Sequence, residues 1–301
     1  MELRLLVTFE KVATVLSFTR AAAELAYAQS SVTSQIRALE SALGTELFER
    51  LGSRIRLTES GERLLPYARQ IIELTEEART AVTAGGEPAG TIAVGTMESL
   101  TSYRLPPLLE LFHHRYPGVR LALRPTLGDA TRQALRQGTY DLGLLMERET
   151  EHEGLESEVL TREPLVLVAS PRHPLAGRSG LTPADLAATG LVGTEPGCAY
   201  RDLFEAELAP HGPVFTEYGT IEASKRGVAA GLGIALLPRI AVAGELASGA
   251  LVALDWEPPF SLFTQIAWRR GKRLPAHVRL FVEQTRRLVR EELPEPPPGS
   301  P

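Results

Sequence analysis

Apolar residues in the first third of the chain recur with the period of a helix. Residues 2–16 carry Leu5, Phe9, Val12 and Leu16 at helical spacing, which predicts a first helix. Ser17 is placed to cap a second helix from Phe18 to about Ala26, with Ala22 and Leu25 facing inward. After a short turn at Tyr27 and Ala28, Val32, Ile36, Leu39 and Leu43 form one apolar stripe at 4-3-4 spacing. That predicts a third helix over residues 29–43, closed by Gly44. Residues 46–50 and 54–57 read as two short extended segments around a turn at Gly52 and Ser53. From Thr58 to Ala84 the pattern is a single long helix. Leu64, Ala68, Ile71, Thr75, Ala78 and Val82 give it a heptad seam, and Pro66 interrupts it. Nothing close behind in the chain can cover that seam, so its expected partner is the same helix of a second copy.

The run AGGEPAG at 84–90 opposes both helix and strand and reads as a linker. Beyond it, apolar strands alternate with helices. Strands are expected at 91–95, 120–124, 142–145, 165–169, 191–193, 234–237 and 264–268, with helices such as 105–114 and 129–137 between them. This alternation predicts an α/β fold with mainly parallel sheets. Strands near 161–165 and 264–268 are expected to cross between two lobes, the geometry of a hinged ligand-binding protein. The proline-rich tail 294–301 is expected to be disordered.

Composition narrows the classes. The chain has 301 residues, enough for two or three domains, with ordinary hydrophobic and charged fractions of 44% and 23%. One cysteine, Cys198, excludes an intramolecular disulfide framework and a multi-cysteine zinc site, and fits a reducing cytoplasm. No apolar run approaches the roughly 18 residues of a membrane span. Glu2, Arg4, Glu10 and Lys11 break the opening segment, so a secretory signal is not expected. Net charge is −5, so any nucleic-acid footprint must be local.

The stretch from Phe18 to Glu40 carries the strongest chemical signal. Two helices meet at a tight turn, and the second turns Gln29, Ser30, Thr33, Ser34 and Arg37 away from its apolar stripe. That is a helix-turn-helix layout, whose second helix enters the major groove; a merely solvated polar face gives the same periodicity. Residues 1–57 hold seven basic groups (Arg4, Lys11, Arg20, Arg37, Arg50, Arg54, Arg56) against six acidic ones (Glu2, Glu10, Glu24, Glu40, Glu46, Glu49). Arg50, Arg54 and Arg56 gather on the extended segments, where phosphate contact is expected. Arg50 is equally suited to an internal ion pair, whereas the turn at Gly52 and Ser53 favours Arg54 for phosphate.

Other motifs are weak. Gly231-Leu232-Gly233 precedes a strand instead of following one, which argues against a dinucleotide fingerprint. His113 and His114 are adjacent and diverge on a helix, so no metal site is expected. No nucleophile elbow, zincin motif or phosphate loop occurs, and no catalytic constellation or cofactor is expected.

Residues 1–61 closely resemble the DNA-binding module of the LysR-type transcriptional regulators. The likeness rests on Phe9, the run Ser17-Phe18-Thr19-Arg20-Ala21-Ala22, Leu25, Gln29, Val32, Thr33, Gln35, Ile36, Leu39-Glu40, Gly44, Leu47-Phe48, Arg50, Leu57-Thr58 and Gly61. It extends over nearly the whole chain. The resemblance implies a winged helix-turn-helix at 1–57, a dimerising linker helix and hinge at 58–90, and an effector domain at 91–293 similar to type 2 periplasmic binding proteins. Its lobes would be about 91–162 with 267–293, and about 163–266; AGLGIALLP at 230–238 would be a turn of the second lobe.

That family reads an operator in double-stranded DNA and responds to a small-molecule effector. Its DNA-contacting positions fall on Gln29, Ser30, Thr33, Ser34 and Arg37, with the wing at Arg54. Many relatives carry proline at position 30 and arginine at position 34; Ser30 and Ser34 here depart from that, and bidentate guanine reading from position 34 is absent. The effector cleft would take in Thr96, Met97, Glu98 and Ser99, where exposed backbone amides favour an anion, although Ser99 or Thr101 could equally be a helix cap. Three loops would face the same cleft, with Thr126 and Gly128, with Cys198, Tyr200 and Arg201, and with Thr220. Arg201 suits a carboxylate effector or a surface ion pair, and Tyr200 suits stacking or packing. Cys198 opens a helix, where a thiolate would be favoured; a buried or cleft-lining thiol is the other reading. A homodimer through the linker helix, a homotetramer and a cytoplasmic location are implied. A solute-binding module without DNA would need only residues 91–293, and the first 90 residues argue against it. The absence of a catalytic pattern argues against an enzyme.

Overall fold

The computed structural model describes residues 2–51, 54–82 and 88–292, apart from some side chains at the wing and along the linker helix. It forms two compact units.

The first unit begins with α1 (Leu3–Val15), α2 (Phe18–Leu25) and α3 (Gln29–Leu43). A two-stranded antiparallel ribbon follows, β1 (Phe48–Leu51) and β2 (Arg54–Leu57), with Phe48 opposite Leu57. The expected turn residues Gly52 and Ser53 lie outside the described residues. A long helix, α4 (Glu59–Val82), completes the unit with Pro66 inside it; residues 83–87 of the expected linker also lie outside. The helices form because their apolar positions converge. Leu6, Phe9 and Val12 of α1, Ala21 and Ala22 of α2, and Val32, Ile36 and Leu39 of α3 share one core with Leu47, Phe48 and Ala68. Phe48 anchors the ribbon between the rings of Phe9 and Phe18, at 5.5 and 5.8 Å.

Local chemistry sets the turns. Ser17 accepts a hydrogen bond from the Arg20 amide and caps α2, as expected. Glu40 Oε1 accepts from the Leu47 amide at 2.9 Å and ties α3 to the start of the ribbon. Gly61 is required where α4 crosses behind β1, since a Cβ there would stand 2.2 Å from the Leu47 carbonyl oxygen.

The heptad seam of α4 needs correction. Ala68 is fully buried and Leu64 packs on the domain core, so two of the six seam positions are already satisfied within the chain. The apolar stripe that α4 leaves exposed is Tyr67, Ile71, Leu74 and Ala78, again at 4-3-4 spacing but rotated around the helix.

The second unit has two lobes. In chain order its elements are β3 (Gly90–Thr96), α5 (Pro106–Arg115), β4 (Val119–Pro125), α6 (Gly128–Arg136), β5 (Leu142–Glu147) and β6 (Leu155–Glu163). Then come β7 (Leu165–Ala169), α7 (Pro183–Ala187), β8 (Leu191–Gly193), α8 (Ala199–Leu208), β9 (Phe215–Glu217) and α9 (Ile221–Ala229). The last are β10 (Ala235–Pro238), α10 (Arg239–Ser248), β11 (Val252–Ala253), β12 (Leu262–Arg269) and α11 (Ala276–Glu292). Between β3 and α5, Leu100–Arg104 form a π-helical turn.

Lobe I is a five-stranded sheet in the order β4-β3-β5-β12-β6. The first three strands are parallel, but β12 runs antiparallel to both β5 and β6. Lobe II has an antiparallel sheet β10-β7-β11 and a parallel pair β8-β9. The expectation of mainly parallel sheets therefore fails. In lobe I the reason is β12, which returns from lobe II and enters at the carboxyl end of β5, so it runs against β5 and β6; in lobe II, β7 pairs antiparallel with both β10 and β11. All of β12 lies in lobe I, and the last lobe II backbone contact before it is Leu254 to Leu167. The return crossing thus falls between 254 and 262, ahead of the expected 264–268, and residues 262–266 belong to lobe I. The first crossing falls at Pro164, between β6 and β7, as expected. Residues 294–301 lie outside the described residues.

Candidate functional site

α3 presents two faces. Val32, Ile36 and Leu39 are buried, while Gln29, Ser30, Ser34 and Arg37 are exposed. Thr33 is half-buried, and its hydroxyl donates 3.0 Å back to the Gln29 carbonyl. Gln35 is held on the inner side, where its Oε1 accepts from the Thr8 hydroxyl at 2.6 Å. The free polar face is therefore the row Gln29, Ser30, Ser34 and Arg37. On the ribbon, Arg56 pairs with Glu49 at 2.6 Å across the strands, so one member of the expected basic cluster is already engaged. Arg54 opens β2; its side chain and that of Arg50 lie outside the described residues.

The two lobes of the second unit enclose a cavity of about 190 Å³. Met97, Thr126 and Gly128 reach it from lobe I, and Gly197, Ala199 and Asp202 from the start of α8 in lobe II. The strand ends place them, since β3 and β5 both finish at this edge. Thr96 and Ser99, on either side of Met97 in the chain, are buried with Oγ1 and Oγ left without a hydrogen-bond partner. Orphaned buried hydroxyls are uncommon in folded proteins and mark a place where a further partner fits.

Of the charged groups of this cavity, sequence reasoning placed only Asp129, in the loop from Thr126, and did not single out Arg132, Glu147 or Asp202. Asp129, Arg132, Glu147 and Asp202 all line it. The Arg132 guanidinium bonds both the Glu147 and the Asp129 carboxylates. His152 Nε2 stands 2.5 Å from the other Glu147 oxygen. Asp202 accepts from the Gly197 amide at 3.0 Å. Glu147 was legible in principle, because it closes β5 at the carboxyl end of a strand. Asp129 and Asp202 lie in first helical turns, where an acidic residue reads simply as a dipole partner.

The remaining expected cleft residues have other partners. Glu98 Oε2 accepts from the Ile221 amide at 3.2 Å. Thr220 is exposed and caps α9, accepting from the Ala223 amide. Arg201 is buried, pairs with Glu205 and stacks 3.8 Å over the Phe215 ring. Only glycine fits beside it at 193, since a Cβ there would stand 2.5 Å from Arg201 Nε. Arg201 is thus a buried guanidinium whose ion pair reaches the half-exposed carboxylate of Glu205, and it is not among the residues that line the cavity. Tyr200 and Cys198 are also buried. Burial pushes the Cys198 thiol pKa up, the reverse of the shift that a helix N-terminus would give, so the reactive thiolate is disfavoured.

A second group of charges bridges the lobes. Tyr103, on the π-helical turn, donates to Glu222 of α9. Lys225, 7% exposed at its side chain, pairs with Glu222 at 2.5 Å and Glu245 at 2.7 Å, and donates to the Ala241 carbonyl at 3.0 Å.

Comparison with known proteins assigns this architecture. Residues 3–62 match the bacterial regulatory helix-turn-helix protein, lysR family, and residues 85–290 match the LysR substrate binding domain. The chain belongs to the LysR family of transcriptional regulators. An uncharacterized HTH-type transcriptional regulator, YwqM, of Bacillus subtilis is 40% identical over 293 residues, covering 96% of this chain and all of YwqM. A RuBisCO operon transcriptional regulator of Allochromatium vinosum is 34% identical over 93% of this chain and 94% of its own length. A full-length OxyR variant from Pseudomonas aeruginosa has the same fold, with a TM-score of 0.78 over 96% of this chain and 95% of that chain, at 24% identity. As a LysR-type regulator the chain combines a helix-turn-helix DNA-binding domain with an effector-binding domain, and its relatives are transcriptional regulators, not enzymes. Among the described residues, no helix is long and apolar enough to cross a membrane.

Proposed function

We propose that this regulator reads its operator through Gln29, Ser30, Thr33, Ser34 and Arg37 of α3, with Arg54 on the wing against phosphate. The observation that carries this reading is the division of α3 into a buried apolar face and an exposed polar one. Short polar side chains on such a face reach base edges in the major groove, and Arg37 adds phosphate or guanine contact. The DNA-binding domain is assigned to 1–57, the linker helix to 58–90 and the effector domain to 91–293.

The exposed stripe on α4 supports a homodimer through that helix, so that two copies of α3 meet half-sites one helical turn or a multiple apart. A further pairing of effector domains would give a tetramer, and the working location is the cytoplasm. The effector is a small molecule in the interlobe cavity. Met97, Thr126 and Gly128 line its seat, and the unpartnered hydroxyls of Thr96 and Ser99 lie at the same end of β3. It acts through its different affinity for two lobe arrangements, which changes the placement of the DNA-binding domains.

Fluorescence anisotropy on DNA from upstream of the protein's own gene tests the reading. Gln29→Ala with Ser34→Ala is expected to lower specific affinity about tenfold or more, at one to three kcal/mol per lost base contact. Non-specific binding and its salt dependence are expected to stay unchanged. Equal loss on specific and random DNA would remove α3 as the reading element.

A further inference from the structure

We infer that the seam between the two lobes at the start of α9 is a releasable latch, built so that the lobes part without stranding a buried charge. The inference rests on the reading that the effector domain has two lobe arrangements.

Three hydrogen bonds cross the seam. Glu98 Oε2 of lobe I accepts from the Ile221 amide at 3.2 Å. The Tyr103 hydroxyl of lobe I donates to the Glu222 carboxylate. Lys225 Nζ of lobe II reaches the Tyr103 oxygen at 3.4 Å and lies 5.2 Å from the centre of its ring. All three run to the opening turns of α9.

The charges are divided unequally across that seam. An ammonium has three N–H donors. Those of Lys225 find three acceptors inside lobe II: Glu222 Oε1 at 2.5 Å, Glu245 Oε1 at 2.7 Å and the Ala241 carbonyl at 3.0 Å. Lobe I adds only an uncharged hydroxyl to this group, and its Glu98 faces a backbone amide, not a cation. When the lobes part, Lys225 keeps its compensation, and the half-exposed Glu222 exchanges the Tyr103 hydroxyl for water. The buried pair of Arg104 and Glu163 lies wholly within lobe I, with Thr264 of β12 as its third member. A buried pair split across the seam would leave a bare charge on each side and lock the lobes. Hydrogen bonds that water can replace hold them reversibly.

The π-helical turn joins the latch to the pivot. Its consecutive residues divide the work: Tyr103 reaches lobe II, and Arg104 ties inward to Glu163, which directly precedes the first crossing at Pro164. Single π-turns beside α-helices recur at functional sites. The part of lobe I that grips α9 is therefore rooted where the chain passes between the lobes.

Amide hydrogen exchange on the full-length protein, resolved to single residues, tests this with Tyr103→Phe. The substitution removes one hydroxyl and alters neither Glu98 nor Ile221. Exchange at the Ile221 amide is expected to rise about tenfold, because losing one hydrogen bond to a charged group opens the seam more often. The Ala223 amide, bonded to Thr220 inside lobe II at 3.1 Å, is expected to keep its rate. Glu158→Ala, which breaks a partly exposed pair with Arg286 inside lobe I, is expected to leave both amides unchanged. Operator affinity is expected to change about fivefold or more with Tyr103→Phe and to stay constant with Glu158→Ala.

An unchanged Ile221 amide in Tyr103→Phe would overturn the latch. Equal acceleration at Ile221 and Ala223 would overturn it too, since that is fraying of α9 and not separation of the lobes. Faster exchange at Ile221 alone, with operator affinity unchanged, would uphold the latch and overturn the reading that lobe arrangement governs DNA binding.

Discussion

Glu98 in lobe I accepts a 3.2 Å hydrogen bond from the backbone amide of Ile221, the first residue of α9 in lobe II. A carboxylate at a helix N-terminus satisfies an orphan donor and faces the positive end of the helix dipole. Since donor and acceptor sit on different lobes, the bond forms only in this arrangement of the two. Glu98→Ala is expected to lower unfolding free energy by about 1 kcal/mol. Small-angle scattering and urea denaturation of the effector-free protein would check it, and an unchanged scattering profile with unchanged stability would leave the bond without a conformational role.

Tyr103 and its partners add a pH signature to the same lobe contact. Burial, then the hydrogen bond to Glu222, raises the Tyr103 pKa to about 12 from an ordinary 10. A raised folded pKa means that the native state holds its proton longer than the unfolded chain. The stabilisation is whole below about pH 10 and falls away as the pH climbs toward 12. Tyr103→Phe is expected to flatten the stability curve across that window and, at neutral pH, to lose only what the hydrogen bond to Glu222 contributes. Thermal melts between pH 9 and about 12 would show this, and equal slopes in the two proteins would rule it out.

Glu163 ties the first crossing strand to the π-helical turn. Its carboxylate, fully buried, accepts from Arg104 Nη2 at 2.8 Å and from the Thr264 hydroxyl of β12 at 2.8 Å. Removing one partner of a buried pair strands the other's charge, which costs about 3–5 kcal/mol. Glu163→Ala is expected to lose that much in chemical denaturation, whereas Glu158→Ala, whose half-exposed carboxylate bonds Arg286, is expected to lose under about 1 kcal/mol. Comparable losses at the two positions would show that burial of the pair is not what matters.

The α4 stripe predicts the assembly. Leu74 is 58% exposed and Ile71 38%, at positions where an isolated domain gains nothing from an apolar side chain. Leu74→Glu with Ile71→Glu is expected to shift sedimentation toward the monomer and to reduce affinity for a two-half-site operator by at least tenfold, with little effect on a single half-site. A variant that remains dimeric would move the interface to another surface.

The helices of the first unit were legible because each has one face to bury. The stripe Val32, Ile36, Leu39 and Leu43, with the turn at Tyr27 and Ala28 before it and Gly44 after it, places α3. The α4 seam was harder, because the helix carries two stripes, one packed on its own domain and one left exposed. Periodicity reveals both and assigns neither; only the fold shows Ala68 covered and Leu74 bare. Strand direction was likewise hidden, since β12 has the same composition whichever way it enters the sheet. In the cavity, Met97, Thr126 and Gly128 were expected from the family resemblance, and they line it at the carboxyl ends of the strands. Arg201 did not, because nothing in its local sequence announces the ring of Phe215 or the bare backbone of Gly193. The lobe-bridging group of Tyr103, Glu222 and Lys225 joins residues more than a hundred positions apart, beyond the reach of any local pattern.

The rotation of the apolar stripe on α4 bears on how the regulator answers to its own abundance. If α4 pairs two copies, a helix whose inner stripe is already covered at home is expected to fold with its domain without the second copy, leaving a folded monomer in exchange with the dimer. Where the two exchange, occupancy of a paired half-site rises with the square of monomer concentration and not in proportion to it. Gene dosage and synthesis rate then become inputs to the switch, and halving the supply of the protein reduces occupancy about fourfold in the dilute limit.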